Sequence, residues 1–193
     1  VFLSADGVDG GLLEEAMIDF GMPMGPATLA DLTGIDINYK VNKTFEKRLG
    51  ERYKVHPLTE VIYNTGCYGR KTGTGYFDYS GEKPVPNKTV VEAVQAYLKE
   101  KGIAPKKMPK QDIIDAMLAL GTNEAALMIE EGICDRAQDM DLAMIYGTGF
   151  PPYRGGILRY ADKWGLKNVY EKLQALEKQY GIRFQPAKLI KEM

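Results

Sequence analysis

One pattern is written twice in this chain, and it limits what the chain can fold into more than any other feature. Near the start stand Ala16-Met17-Ile18, Gly21-Met22-Pro23-Met24-Gly25-Pro26, Leu29-Ala30-Asp31 and Gly34. Near the end stand Ala143-Met144-Ile145, Gly149-Phe150-Pro151-Pro152-Tyr153, Gly155-Gly156, Tyr160-Ala161-Asp162 and Gly165. Gly25 and Gly156 lie 131 positions apart, and so do Asp31 and Asp162. A solenoid repeats every ~20 to 50 residues, so a period this long marks a duplicated module. Pro26 suits the first turn of a helix, and the glycine before it takes backbone angles closed to other residues. The pattern predicts two copies of one helix–turn–helix corner within 193 residues.

Apolar spacing is helical nearly throughout. Ile37, Val41, Phe45 and Leu49 recur behind Asp36, read as an N-cap, and stop at Gly50. Pro57 opens a short helix through Val61 and Ile62. Asn87 caps a run in which Val90, Val91, Val94, Tyr97 and Leu98 share a face. The longest apolar segment runs from about Ile113 to Ile133, with Ile113, Ile114, Met117, Leu118, Ala125, Met128 and Ile129 on one stripe. A final helix carries Leu166, Val169, Tyr170, Leu173, Leu176 and Tyr180. Gly75-Tyr76-Phe77-Asp78-Tyr79 reads as extended but is too short to found a sheet. The fold class expected is all-α, a duplicated helical domain. The basic, proline-rich stretch from Gly102 to Pro109 sets the boundary. Residues 1–104 form a first copy with a glycine-rich insert, and residues 105–193 a second. Val1 is not a natural start residue, so the chain is expected to be cut from a longer one, with Val1 to Ala5 the remnant of a first helix.

Lysine and arginine number 25 against 26 acidic residues, a balance that offers no strong field to nucleic acid. No apolar run reaches the ~18 residues of a membrane span. Cys67 and Cys134 match no metal or redox spacing and read as buried, reduced thiols of an intracellular protein. A dinucleotide fingerprint needs a strand, then glycines that open a helix. Gly73-Thr74-Gly75 follows Arg70-Lys71 and lacks the third glycine, while Gly147-Thr148-Gly149 precedes two prolines. Neither suits a nucleotide, and no metal ligand set or nucleophile elbow appears. His56, the single histidine, precedes Pro57 and reads as a helix-start residue rather than a base. Arg70, Lys71 and Arg154 are able to meet coenzyme phosphates but more often form a solvated rim. Tyr146, at the lip of the second corner, suits a ligand or a core equally well.

With these segments in view, the chain resembles the C-terminal part of the 3-hydroxyacyl-CoA dehydrogenase family. It is most similar to the multifunctional fatty-acid oxidation enzymes that join an enoyl-CoA hydratase to the dehydrogenase. The resemblance lies in Phe20 through Asp36, Tyr68 through Phe77, Asn123-Glu124-Ala125, Glu130-Glu131-Gly132 and Asp141 through Gly156. It implies the helical fold of 6-phosphogluconate dehydrogenase-like C-terminal domains, present here in tandem. It implies lipid metabolism, specifically β-oxidation, with NAD held by an upstream domain and no cofactor bound by this chain alone. The partners implied are an acyl-CoA substrate and that NAD-binding domain. The family's His–Glu pair and its Asn-Arg motif match no positions here, and His56 matches no catalytic position. No catalytic or metal residue is therefore assigned, and the isolated chain is expected to be inactive. Tyr146 falls on the family's tyrosine before Gly-x-Gly-Phe-Pro-Pro, which implies substrate contact. The alternatives are a helical scaffold without ligand, or the helical half of another hydroxyacid dehydrogenase. A cytoplasmic location is the default expectation.

Overall fold

A computed structural model describes residues 1–192. The helices are α1 (Phe2–Ala5), α2 (Gly10–Phe20), α3 (Pro26–Thr33), α4 (Ile35–Leu49), α5 (Pro57–Tyr63), α6 (Lys88–Glu100), α7 (Lys110–Glu130), α8 (Ala137–Thr148), α9 (Ile157–Trp164), α10 (Leu166–Tyr180) and α11 (Lys188–Lys191). Two short strands, β1 (Phe77–Asp78) and β2 (Val85–Pro86), pair antiparallel with Phe77 opposite Pro86. The fold is all-α apart from this ribbon. Among the described residues two compact units form: residues 1–17 with 24–108, and residues 18–23 with 109–192.

The first unit centres on Ala5, Ile35, Leu58, Ile62 and Val90, with Cys67, Tyr76, Val94 and Tyr97 packed around them. Local signals place its helices. His56 takes the N-cap of α5 and accepts the Leu58 N–H on Nδ1 at 3.2 Å, with Pro57 presetting the first turn. Asn87 caps α6 by accepting the Thr89 N–H at 3.0 Å, and its own amide donates to Gly75 O at 2.8 Å.

In the second unit α7 is the spine. Ile113, Val169 and Leu173 are fully buried where α7 and α10 pack. Asn123, also fully buried, fastens the end of the chain to α7. Its Nδ2 donates to Gln185 O at 2.9 Å, and its Oδ1 accepts the Ala187 N–H at 2.8 Å.

The corner helices of the two copies match in length. Helices α3 and α9 are both 8 residues long, and α4 and α10 are both 15. Gly34 and Gly165, at the joints, share φ 98° and nearly equal ψ, 121° and 120°. Only glycine takes that conformation without strain.

Three expectations need correction; the helix read at Ile37, Val41, Phe45 and Leu49 is not one of them, since α4 forms there and ends at Gly50, with that stripe 37 to 49% exposed. Strict four-residue spacing drifts around a helix of 3.6 residues per turn, and the less exposed face of α4 carries Ile35, Asn38, Tyr39 and Asn42. Gly34, not Asp36, precedes α4 as N-cap; Asp36 sits in the first turn and pairs with Lys71. Helix α7 ends at Glu130, leaving Ile133 64% exposed. Both cysteines are free but only half-buried.

Candidate functional site

Each corner is held from a distance by a carboxylate. A helix start leaves backbone N–H groups unpaired, and an acidic group there satisfies them and complements the helix dipole. In the first copy Glu14 on α2 supplies it, accepting from Gly25 N–H at 3.1 Å, Ala27 N–H at 2.9 Å and Thr28 N–H at 3.3 Å. In the second, Asp141 on α8 accepts from Leu158 N–H at 2.7 Å and Arg159 N–H at 3.2 Å. A side chain at Gly25 would overlap the Glu14 carboxyl, and one at Gly156 would overlap Asp141. The glycines are there to let the carboxylates in. Glu14 as a capping group went unread in the sequence, because its targets lie 11 to 14 residues downstream.

Asp31 is the polar centre of the first unit. It is 1% exposed and accepts three hydrogen bonds, from Tyr76 N–H (2.8 Å), Phe77 N–H (2.9 Å) and Tyr79 O–H (2.9 Å). Burial, with the nearby Asp31 charge second, pushes the Tyr76 phenol up to about 12. A Cβ at Gly69 would overlap the Asp31 backbone, and one at Gly75 its carboxylate. The glycine-rich segment is therefore a lid seated on an aspartate. Its amides are committed to a carboxylate, and a pyrophosphate placed there would meet that negative charge. Among the described residues the segment does not fit NAD. The other candidate, Gly147-Thr148-Gly149, ends α8 with Gly149 at φ 72°. A helix C-terminus presents carbonyl oxygens, which repel phosphate.

The basic residues beside the lid are already engaged. Lys71 pairs with Asp36, and that bond holds the Asp36 carboxyl below its usual range. Arg70 lies 5.4 Å over the Tyr79 ring. His56 has its cap role, and burial pushes its imidazole down from 6.5.

In the second unit Phe150 is 1% exposed and Pro151 is fully buried, so the Gly-Phe-Pro-Pro corner is an anchor. Arg154 folds over the Phe20 ring at 4.1 Å and donates from Nε to Phe20 O at 2.9 Å. Tyr160 stands edge-on to Phe20 at 5.2 Å. Tyr146 stands apart from this cluster on the last turns of α8, 85% exposed. Beside the corner, Tyr153, Arg154, Arg159, Tyr160, Asp162 and Trp164 line an open cavity of about 810 Å³.

Among the described residues no helix is long and apolar enough to cross a membrane. The family described as "3-hydroxyacyl-CoA dehydrogenase, C-terminal domain" matches residues 3–79 and 113–193, each segment holding one copy of the corner. The chain is 36% identical over 191 residues to the peroxisomal fatty acid beta-oxidation multifunctional protein AIM1 of Arabidopsis thaliana, covering 96% of this chain and 26% of that protein. It is 35% identical over 175 residues to the fatty acid oxidation complex subunit alpha of Vibrio parahaemolyticus, covering 90% of this chain and 24% of that one. The chain thus spans about a quarter of the length of these relatives. Among solved structures, 3-hydroxybutyryl-CoA dehydrogenase from Escherichia coli has a similar fold, with a TM-score of 0.74 at 19% identity. That match covers 98% of this chain and 55% of the other. The dehydrogenase part of multifunctional enzyme 1 from C. elegans gives 0.65 at 23%, covering 93% and 41%. Its doubled corner, helical fold and two matched segments make this chain a member of the 3-hydroxyacyl-CoA dehydrogenase C-terminal domain family.

Proposed function

We propose that this chain is the tandem helical part of an NAD-dependent 3-hydroxyacyl-CoA dehydrogenase of fatty-acid β-oxidation. Residues 1–104 and 105–193 are its two copies. The single observation that carries the reading is the family match in two segments, one on each corner. The commitment of the glycine-rich lid to Asp31 supports assigning NAD to a domain outside this sequence. The chain's part is then to close the acyl-CoA site against that domain and to hold the assembly together. A cytoplasmic location belongs to the same proposal, although the plant relative is by name peroxisomal.

Tyr146 is the substrate contact in this reading. Its exposed phenol, with an apolar ring and a polar tip, suits an acyl thioester. The test is a titration of the chain with 3-hydroxybutyryl-CoA, following the tyrosine ring resonances by NMR. Tyr146 is expected to shift well beyond Tyr97, and the chain alone to make no NADH. NADH formed by the chain alone, or a Tyr146 signal that stays still while others move, would overturn the proposal.

A further inference from the structure

The geometry points to the cavity on α9 as a site for a phosphorylated nucleoside, read by side chains rather than by a glycine loop. The cavity of about 810 Å³ combines three cations, Arg154, Arg159 and Lys163, with the rings of Tyr153, Tyr160 and Trp164. Arg154 is held in place by its contacts with Phe20 through Nε and the ring face, so its two terminal nitrogens are presented at a fixed position. A preset guanidinium fork binds phosphate oxygens better than a mobile ammonium. Arg159 and Lys163 have no ion-pair partner among the described residues, and neither does Asp162. The cavity therefore gathers a local excess of positive charge on a chain whose net charge is −1. Tyr160 and Trp164, 6.5 Å apart and tilted, offer flat faces for a base. Asp162, the one acid of the lining, would accept from a ribose hydroxyl or an exocyclic amine.

The internal duplicate sharpens the inference. The positions 131 residues before Arg154, Arg159, Tyr160, Lys163 and Trp164 are Pro23, Thr28, Leu29, Leu32 and Thr33. None is charged or aromatic. In the first copy the glycine-rich lid seats on Asp31; in the second Asp162 is exposed and lines the cavity. Asp162 is thus open where Asp31 is covered, and although Leu29 and Leu32 of the first copy are also exposed, only the second copy carries cations and rings at these positions.

This inference stands on the cavity and not on the proposed dehydrogenase role. Two sources share the chemistry, a free nucleotide and the nucleotide end of coenzyme A. Trp164 is the only tryptophan, so its fluorescence, excited at the red edge to avoid adenine absorbance, reports the cavity alone. The chain is titrated with ADP, coenzyme A, pantetheine and inorganic phosphate. Saturable quenching by ADP and coenzyme A, with none by pantetheine and much weaker binding of phosphate, is expected. Tighter binding of coenzyme A than ADP assigns the site to the coenzyme, and the reverse order to free nucleotide; both support the site. The exposed pair Arg159→Ala with Lys163→Ala is expected to weaken binding about tenfold or more through loss of charge-assisted contacts, with unchanged helical circular dichroism. No saturable quenching, phosphate binding as tight as ADP, or full affinity in the double variant would overturn the inference. Failure here leaves the NADH measurements of the dehydrogenase reading untouched, so the two are separable.

Discussion

Asp31 and Asp162 hold the same place in helices of the same length, yet Asp31 is 1% exposed beneath a glycine-rich lid while Asp162 faces solvent. Both corners keep the entry glycine and a distant capping carboxylate. What differs is what lies over the aspartate. A buried carboxylate is stable only when its hydrogen bonds are all made, and the lid makes three for Asp31. Without a lid, the same residue remains hydrated. The comparison teaches that the corner is the inherited structural unit, while the covering segment decides whether its aspartate stabilises the fold or faces solvent.

The largest expected effect sets the two aspartates directly against each other. Asp31→Ala leaves two buried N–H groups and a phenol unpaired and should cost about 3 kcal/mol or more. Asp162→Ala should stay within about 0.5 kcal/mol, as exposed substitutions do. Urea unfolding followed by circular dichroism reads both, and equal losses would erase the distinction. Next come the glycines. A Cβ at Gly75 would meet Asp31 and stand 2.6 Å from the Gly69 Cα, so Gly75→Ala should cost about 2 kcal/mol or more through steric overlap and a displaced lid. Gly147 has nothing within 4 Å of its would-be Cβ and lies inside α8, so Gly147→Ala should gain ~0.5–1 kcal/mol of helix propensity. A stabilised Gly75→Ala would show that the lid is not seated as described.

The capping carboxylates test the shared part of the comparison. Glu14→Ala and Asp141→Ala should each cost about 1 kcal/mol, Glu14 the more because it is 8% exposed. If only one copy responds, the corners are not equivalent. The smallest effect is a pH dependence confined to the first unit. Neutral His56 caps α5, and burial lowers its pKa, with Asp6 opposing. The unfolded chain therefore binds the proton more readily. This contribution is complete above about pH 6.5 and is lost as pH falls through the lowered folded value. His56→Asn keeps a capping acceptor, so its stability should lose that slope; an unchanged slope would show that another group titrates.

Local signals were legible in the sequence because their partners lie within a few residues. The cap of Asn87 on Thr89 N–H, the His56–Pro57 helix start and the extended run at Phe77 all follow from neighbours. The doubled corner was legible because glycine and proline restrict the backbone wherever they stand. The helix α4 was legible from its spacing, but periodicity gives a face without saying what lies opposite it, so its exposure was not. The lid on Asp31 bridges 45 to 48 residues, a distance no local pattern reports. The cavity on α9 was unread for the same reason, since Arg154 is fixed by Phe20, 134 positions away. Tyr146 stood out at the lip of the second corner, but only the resemblance tipped it toward substrate; its exposure on α8 adds a position but, among the described residues, no hydrogen-bond partner.

The most direct test of the proposed role is complementation. The chain is mixed with a separately expressed NAD-binding domain of a relative, and NADH formation from a 3-hydroxyacyl-CoA is followed at 340 nm. Activity in the mixture and in neither component, reduced by Tyr146→Ala, is the result predicted here. A mixture that sediments as a complex yet makes no NADH would contradict the assignment of this chain as the substrate-closing part of the enzyme.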